Sequence, residues 1–364
     1  MTTQYRSAVV GADAGFEERQ AQRQSHVVKY ESGLRDTWNK FLGASKNATF
    51  LFHRDFLEYH ADRFVDCSLM VYQGAELTAV LPANLAGSTL VSHGGLTYGG
   101  LVVRRDASLA DVARSFRAVL AWAASQGIMT LRYKRIPRVY SVLPDDEIDY
   151  LHFLVNATLV RRDLSSTIAI GRDALPCRKG RKSSIASAAR HGCTVEQTTD
   201  FGPFWDDVLT PTLQERHRVA PVHSLQEMSL LASRFPTHIS QFNVCHFGTV
   251  VAGATMFVTE TVAHTQYLAA TEHGRRLGAL DFLIDRLLRA EYAGKRYFDF
   301  GISNEQGGRL VNAGLLQWKE GFGARGVCHD LYDIQTGMFG AIDAAFESRV
   351  VPECGGNGRP SLKQ

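Results

Sequence analysis

His264 and Tyr267 lie three residues apart in HTQYLAA, just ahead of a glycine-bearing turn. Imidazole and phenol groups transfer protons near neutral pH once their surroundings tune them, so this pair is a candidate for acid–base work. Asp299, in YFDFG, is a third candidate. A carboxylate flanked by bulky apolar residues is costly to bury alone, so it is either a paired structural acid or a site acid. His217 and His223, in ERHRVAPVHS, are of the same kind. Each lone histidine also has a plain structural reading.

A second set of residues could hold an anion. Arg275-Arg276-Leu277-Gly278 precedes an amphipathic segment. Glycine at such a turn lets backbone amides approach a phosphate, and the helix N-terminus adds partial positive charge. Two arginines there would grip phosphate, or would simply be solvated. Arg178, Lys179, Arg181, Lys182 and Arg190 fall in a window from 174 to 195 that holds no acid. The run reads as a solvated face or as a seat for a phosphate-rich ligand: a nucleotide, coenzyme A or a tRNA end. His93 and Tyr98 sit among the four glycines of SHGGLTYGG, which implies close backbone approach to a ligand or within a crowded sheet. Lys319, before Gly321-Phe322-Gly323, would set an ammonium over a bound anion or form a surface pair with Glu320.

Other chemistries lack their motifs. The chain has no Gly-x-Ser-x-Gly elbow, no Walker A loop and no HExxH. The six cysteines are scattered, with no CxxC and no Cys/His metal spacing, so reduced thiols in a cytoplasmic protein and no metal site are expected. A net charge of +3 is too small for a general DNA binder. The longest apolar run, Ala118 to Ala124, falls far short of the roughly 18 residues of a membrane span. The charged N-terminal stretch does not read as a signal peptide.

The elements that must position these groups follow from periodicity. Strands are expected at 27–30, 68–73, 77–85, 128–133, 161–170, 262–270 and 296–300, and a hairpin at 244–258 turns on Gly248. Helices are expected at 50–64, 108–125, 178–190, 204–218, 225–235, 278–293 and 338–349. Pro211 should kink or split the fourth of these. Polar loops are expected at 301–312 and 319–323. Hairpin, strand, turn, helix, glycine and strand recur in both halves, which points to an internal duplication. The organisation expected is a leader arm at 1–25, one α/β domain at 26–160, a second at 161–350, and a disordered tail at 351–364.

The duplicated plan resembles the FemAB-like branch of the GNAT (Gcn5-related N-acetyltransferase) superfamily. The residues that carry the resemblance are SHGGLTYGGLVV (92–103), RKGRKSSIASAARHG (178–192), ERHRVAPVHS, HTQYLAA, YFDFGIS and GLLQWKEGFGARGVCHDLY (314–332). It implies two tandem GNAT-like domains, each a mixed sheet flanked by helices. It also implies transfer of an acyl group to an amine by direct attack. The donor would be acyl-CoA, or aminoacyl-tRNA as in the peptidoglycan-bridge members. The acceptor would be a small-molecule amine, such as an amino sugar, amino acid or peptide-like compound. Tyr267 or His264 would then move the proton, with Asp299 beside them. Arg275, Arg276, Gly278, Lys179, Arg181 and Lys182 would hold the donor, though Leu280 departs from the small residue that closes the family's coenzyme A turn. His93, Tyr98, His223, Lys319 and Arg325 would hold the acceptor. A GNAT-fold binding protein without turnover is the reading from another class.

Overall fold

The computed structural model describes residues 25–346. The expected leader arm (apart from Ser25), the C-terminal tail and the end of the expected helix 338–349 lie outside the described residues.

The first half supplies β1 (Ser25–Lys29), β2 (Val65–Asp66), β3 (Leu69–Gln73), β4 (Glu76–Leu81), β5 (Asn84–Ala86), β6 (Thr89–Ser92), β7 (Val102–Val103) and β8 (Thr130–Lys134). The second supplies β9 (Thr158–Ala169), β10 (Thr194–Thr198), β11 (Ile239–His246), β12 (Thr249–Val258), β13 (Val262–Ala270), β14 (Tyr297–Ile302), β15 (Asn304–Glu305), β16 (Leu310–Val311) and β17 (Arg325–Gln335). Eleven of these form one mixed sheet in the order β10-β11-β12-β13-β14-β9-β17-β8-β6-β5-β2, and β1-β3-β4-β7 form a second. The halves therefore share a sheet. Its joint is β17, which pairs with β9 along Arg325–Asp333 and with β8 along Leu331–Gln335.

The repeat is visible in the strand order. In the first half β6 runs parallel to β8 across the helix Leu109–Ser125. In the second, β13 runs parallel to β14 across the helices Glu272–Leu277 and Ala279–Arg286. Helix Leu109–Ser125 starts at a capping box, with Ser108 accepting from the Asp111 amide. It buries Val112, Phe116, Val119, Leu120 and Ala123, the face that its spacing of three and four dictates. One core cluster joins the halves: Trp38, Phe50, Phe52, Phe56, Tyr98 and Tyr140 pack with Phe204, Trp205, Phe257 and Val262.

Four expected elements differ. Residues 50–64 are not one amphipathic helix but short turns, Phe50–Phe52, Arg54–Leu57 and Glu58–His60. They are largely buried, and Arg54 itself is buried and bonded to Glu58, Asp66 and Ser68, so no single apolar face governs them. The helix expected over 278–293 starts at Ala279, after a separate short helix Glu272–Leu277 that ends at Gly278 (φ +81°), and gives way at Arg286 to a wide turn, Leu287–Glu291. Over 204–218 a wide turn, Trp205–Leu209, precedes the helix Thr210–His217. Pro211 thus falls in a first helical turn, where its missing amide costs nothing. Lys319 lies on a helix, Ala313–Glu320, capped by Asn312 through the Leu315 amide, and not in a loop. No helix among the described residues is long and apolar enough to cross a membrane.

Candidate functional site

β13 and β14 stay parallel for three residue pairs, Val262 with Tyr297, Ala263 with Phe298 and His264 with Asp299. Beyond that, β13 from Thr265 to Ala270 pairs only with β12, while β14 follows β9 through a register shift after Asp299. The strands part at His264 and Asp299. A cleft of about 440 Å³ opens there, lined by His264, Thr265 and Gln266 of β13 and Phe300, Gly301 and Ile302 of β14. The facing wall draws on both halves: Leu96 and Thr97, Lys134 of β8, Arg161 and Asp163 of β9, and His329 of β17.

Asp299 is fully buried (0% exposed) and surrounded by donors. Oδ2 accepts from Tyr140 Oη at 2.8 Å and pairs with His264 Nδ1 at 3.0 Å. Oδ1 accepts from Ser165 Oγ, from Thr167 Oγ1 at 3.0 Å and from the Gly301 amide at 3.2 Å. Burial pushes the carboxyl pKa up, but the bond and charge of His264, His329 and the Ser165 hydroxyl outweigh it and hold the group well below the usual carboxylate range. Asp299 is therefore an ionised acceptor. With Nδ1 donating to it, His264 keeps Nε2 without a protein partner among the described residues, beside the cleft. His329, 9% exposed, also lines the cleft, and its Nε2 has no partner among the described residues. Burial lowers its pKa, against the pull of Asp299.

Two lysines brace the rim, Lys134 half-buried and Lys319 buried. Lys134 Nζ donates to the carbonyls of Gly94 (3.2 Å) and Leu96 (2.5 Å), and burial lowers its pKa to about 8. Lys319 Nζ donates to Gly301 and Ile302 at 2.8 and 2.7 Å, and burial again lowers its pKa to about 8. Its ammonium is thus spent on backbone carbonyls, which corrects the expected role over a bound anion.

A second chamber of about 360 Å³ adjoins the first, sharing Leu96, Thr97 and Gln266 with it. Gln266 is the residue left over at the bulge between the pairs Thr255–Tyr267 and Met256–Thr265. His223 lines this chamber, and its ring Nδ1 meets Tyr267 Oη at 2.7 Å. Tyr267 Oη also accepts from the His223 amide at 3.0 Å. Burial raises Tyr267 to about 12 and lowers His223 to about 4. Tyr267 lines neither the cleft with His264 nor the second chamber, which it reaches only through His223. The side chain of His217 lies outside the described residues.

The other expected contacts are largely internal. The glycines around His93 and Tyr98 make room for protein: a methyl at Gly99 would collide with the Ser92 carbonyl, and one at Gly95 with His60. His93 is buried and its pKa is lowered to about 3 by burial, while its Nδ1 accepts from the Gly95 amide at 3.2 Å. Tyr98 donates to Thr49 at 3.2 Å and packs on Tyr140 at 4.5 Å between ring centres, behind the Asp299 network. The Gly278 turn is closed, since a methyl there would strike Ser184 of helix Lys179–Arg190. Arg275 donates to the Ala270 carbonyl at 2.8 Å, and Arg276 pairs with Glu272. Arg181 is bound to buried Asp281, whereas Lys179 and Lys182 are exposed. Arg325 is exposed, donates to the Ala324 carbonyl, and does not line the cleft.

Sequence reasoning missed Tyr140, Ser165, Thr167, Lys134, Gln266, His329 and His60. Only the buried aspartate signalled that partners had to exist. Among the described residues no group of three or more His, Cys, Asp or Glu is arranged to hold a metal.

No protein-family model and no curated protein sequence matches the chain. Solved structures do. FemX superposes with a TM-score of 0.61 at 11% identity, over 86% of this chain and 98% of that one. L-PGS from Bacillus licheniformis gives 0.53 at 13% identity, over 83% and 91%. A conserved protein of unknown function from Bacteroides thetaiotaomicron gives 0.53 at 9% identity, over 85% and 99%. At such identities the likeness is one of fold: over most of its length the chain folds as FemX and L-PGS do.

Proposed function

We propose that this protein is an N-acyltransferase that moves an acyl group onto the amine of a small acceptor, an amino sugar, amino acid or peptide-like compound. The observation that carries the reading is the His264–Asp299 pair at the point where β13 and β14 part, with Nε2 of the imidazole left over beside the cleft. An imidazole anchored by a carboxylate at one nitrogen takes up and releases a proton at the other. The acceptor amine, lying in the cleft, attacks the acyl carbonyl; a C–N bond forms, its proton passes to His264 Nε2, and the bond to the leaving group breaks as that group takes the proton. Backbone amides on the unpaired edge of β13 beyond His264 supply donors for the oxyanion. Asp299 acts through His264 and does not itself move a proton.

The donor is an acyl-CoA or an aminoacyl-tRNA. The closed turn at Gly278 weighs against coenzyme A seated there, and the exposed Lys179 and Lys182 suit a polyanionic donor of either class. Melting the protein with acetyl-CoA, longer acyl-CoA esters and charged tRNA separates the two. A donor at about a hundred times its dissociation constant stabilises the fold by roughly 2.7 kcal/mol. A shift with one donor class, followed by transfer to an amine panel that His264→Ala abolishes, is the expected result. No shift and no transfer with either class would leave the non-catalytic binding reading.

A further inference from the structure

The second chamber has a chemical character of its own. Its walls are Leu51, Phe56, Tyr59, Phe64 and Phe257, and no carboxylate lines it. Arg63, on its lining, is paired with Glu227. Deep in the wall stands His60, 1% exposed, with neither ring nitrogen hydrogen-bonded among the described residues. Its ring packs against Tyr59 and Phe64, with centroids 4.2 and 5.0 Å away. Burial lowers its pKa to about 4, so the imidazole is neutral and offers one donor and one acceptor. A buried polar group left unpaired is costly, and an occupant that bonds to it recovers that cost. The absence of an unpaired acid on the lining disfavours a cationic guest.

Position says which reactant the guest belongs to. The chamber meets the polar cleft at Thr97 and Gln266, next to His264. An acceptor amine deprotonated by His264 belongs in the polar cleft, beside the imidazole. The acyl carbonyl then lies near Gln266, and the rest of the acyl group has the apolar chamber ahead of it.

We propose that this chamber is the acyl-group pocket, built for an uncharged, aromatic or bulky apolar acyl group carrying a hydroxyl or amide that bonds to His60. The assignment to the acyl group rests on the acyltransferase reading; the shape and polarity of the guest do not. Three amide probes test it: phloretamide (aromatic with a hydroxyl), hydrocinnamamide (the same without it) and lysinamide (cationic). Binding is read by thermal shift and by histidine NMR signals on the wild type and on Val222→Trp, since Val222 is 76% exposed on the chamber lining and a larger ring there blocks the pocket without touching the core.

Phloretamide should bind, hydrocinnamamide should bind about tenfold less tightly, as expected for one lost hydrogen bond, and lysinamide should not bind. Val222→Trp should remove phloretamide binding, and His264→Ala should retain it. In transfer assays Val222→Trp should lower the preference for aromatic over acetyl donors with the acceptor KM unchanged. Lysinamide binding as well as phloretamide, or phloretamide binding unaffected by Val222→Trp, overturns the proposal. A changed acceptor KM in place of changed donor preference overturns the acyl assignment. Phloretamide binding that Val222→Trp blocks, in a protein that transfers nothing, removes the transferase reading and leaves the pocket standing.

Discussion

His264 and Asp299 are the last residue pair of the parallel ladder between β13 and β14, and their side chains are bonded to each other, Nδ1 to Oδ2 at 3.0 Å. One register position thus does two things. It marks where the sheet opens, and it places an anchored imidazole at the opening.

If that pair is the proton-transfer unit, His264→Ala lowers kcat by about 10²- to 10⁴-fold, the usual range for a general base. Asp299→Asn should lower kcat within the same range. Groups that act as one unit lose function non-additively, so the double variant should be little worse than His264→Ala alone. Steady-state kinetics on the three variants decides it; additive losses would mean that Asp299 acts independently of His264.

Lys319 bridges the carbonyls of Gly301 and Ile302 and so holds the β14 rim of the cleft. Lys319→Met removes a buried charged hydrogen-bond donor and should cost about 1.5–3 kcal/mol of unfolding free energy. Urea titration measures this. Full stability together with lost turnover would show instead that the ammonium acts on substrate.

Gly278 and Arg276 should respond in opposite ways. Gly278→Ala puts a side chain at φ +81° against Ser184 and should destabilise by more than about 1 kcal/mol. Arg276→Ala, on an exposed pair with Glu272, should stay within about 0.5 kcal/mol of wild type. A Gly278→Ala protein of normal stability that fails to bind donor would identify the turn as a ligand contact after all.

The pH dependence of stability has a definite sign. Burial lowers His60, His152 and His223 to about 4 from an ordinary 6.5, so the native state keeps them neutral. Between pH 6.5 and 4 the unfolded chain binds more protons than the folded one, and stability falls as the pH falls through that window. Each such histidine contributes on the order of 1.4 kcal/mol per pH unit at most. Asp299, held low in the fold, extends the loss at still lower pH, as its carboxylate is protonated. Denaturation curves at pH 7 and 5 should differ, and His152→Phe should flatten the difference. A flat profile between those values would contradict the buried, neutral state of these rings.

Much of the frame was legible in the chain because it is written locally. The period of helix Leu109–Ser125 and the hairpin at Gly248 depend on neighbours a few residues away. The same holds for the basic run that became helix Lys179–Arg190. His264 and Asp299 could be picked out as candidates by residue type alone, since a carboxylate inside an apolar strand demands partners.

Which partners it has was decided only by the tertiary structure. Tyr140, Ser165 and Thr167 reach Asp299 because β14 pairs with β9 in one particular register and because the first half packs over the second. A strand's sequence states its period and burial, but not which distant strand lies beside it or at what offset. The closed turn at Gly278, the engaged ammonium of Lys319 and the separation of Tyr267 from His264 follow from such long-range pairings. β17, near the end of the described chain, completes the sheet between β8 and β9, so the cleft exists only once both halves have folded together.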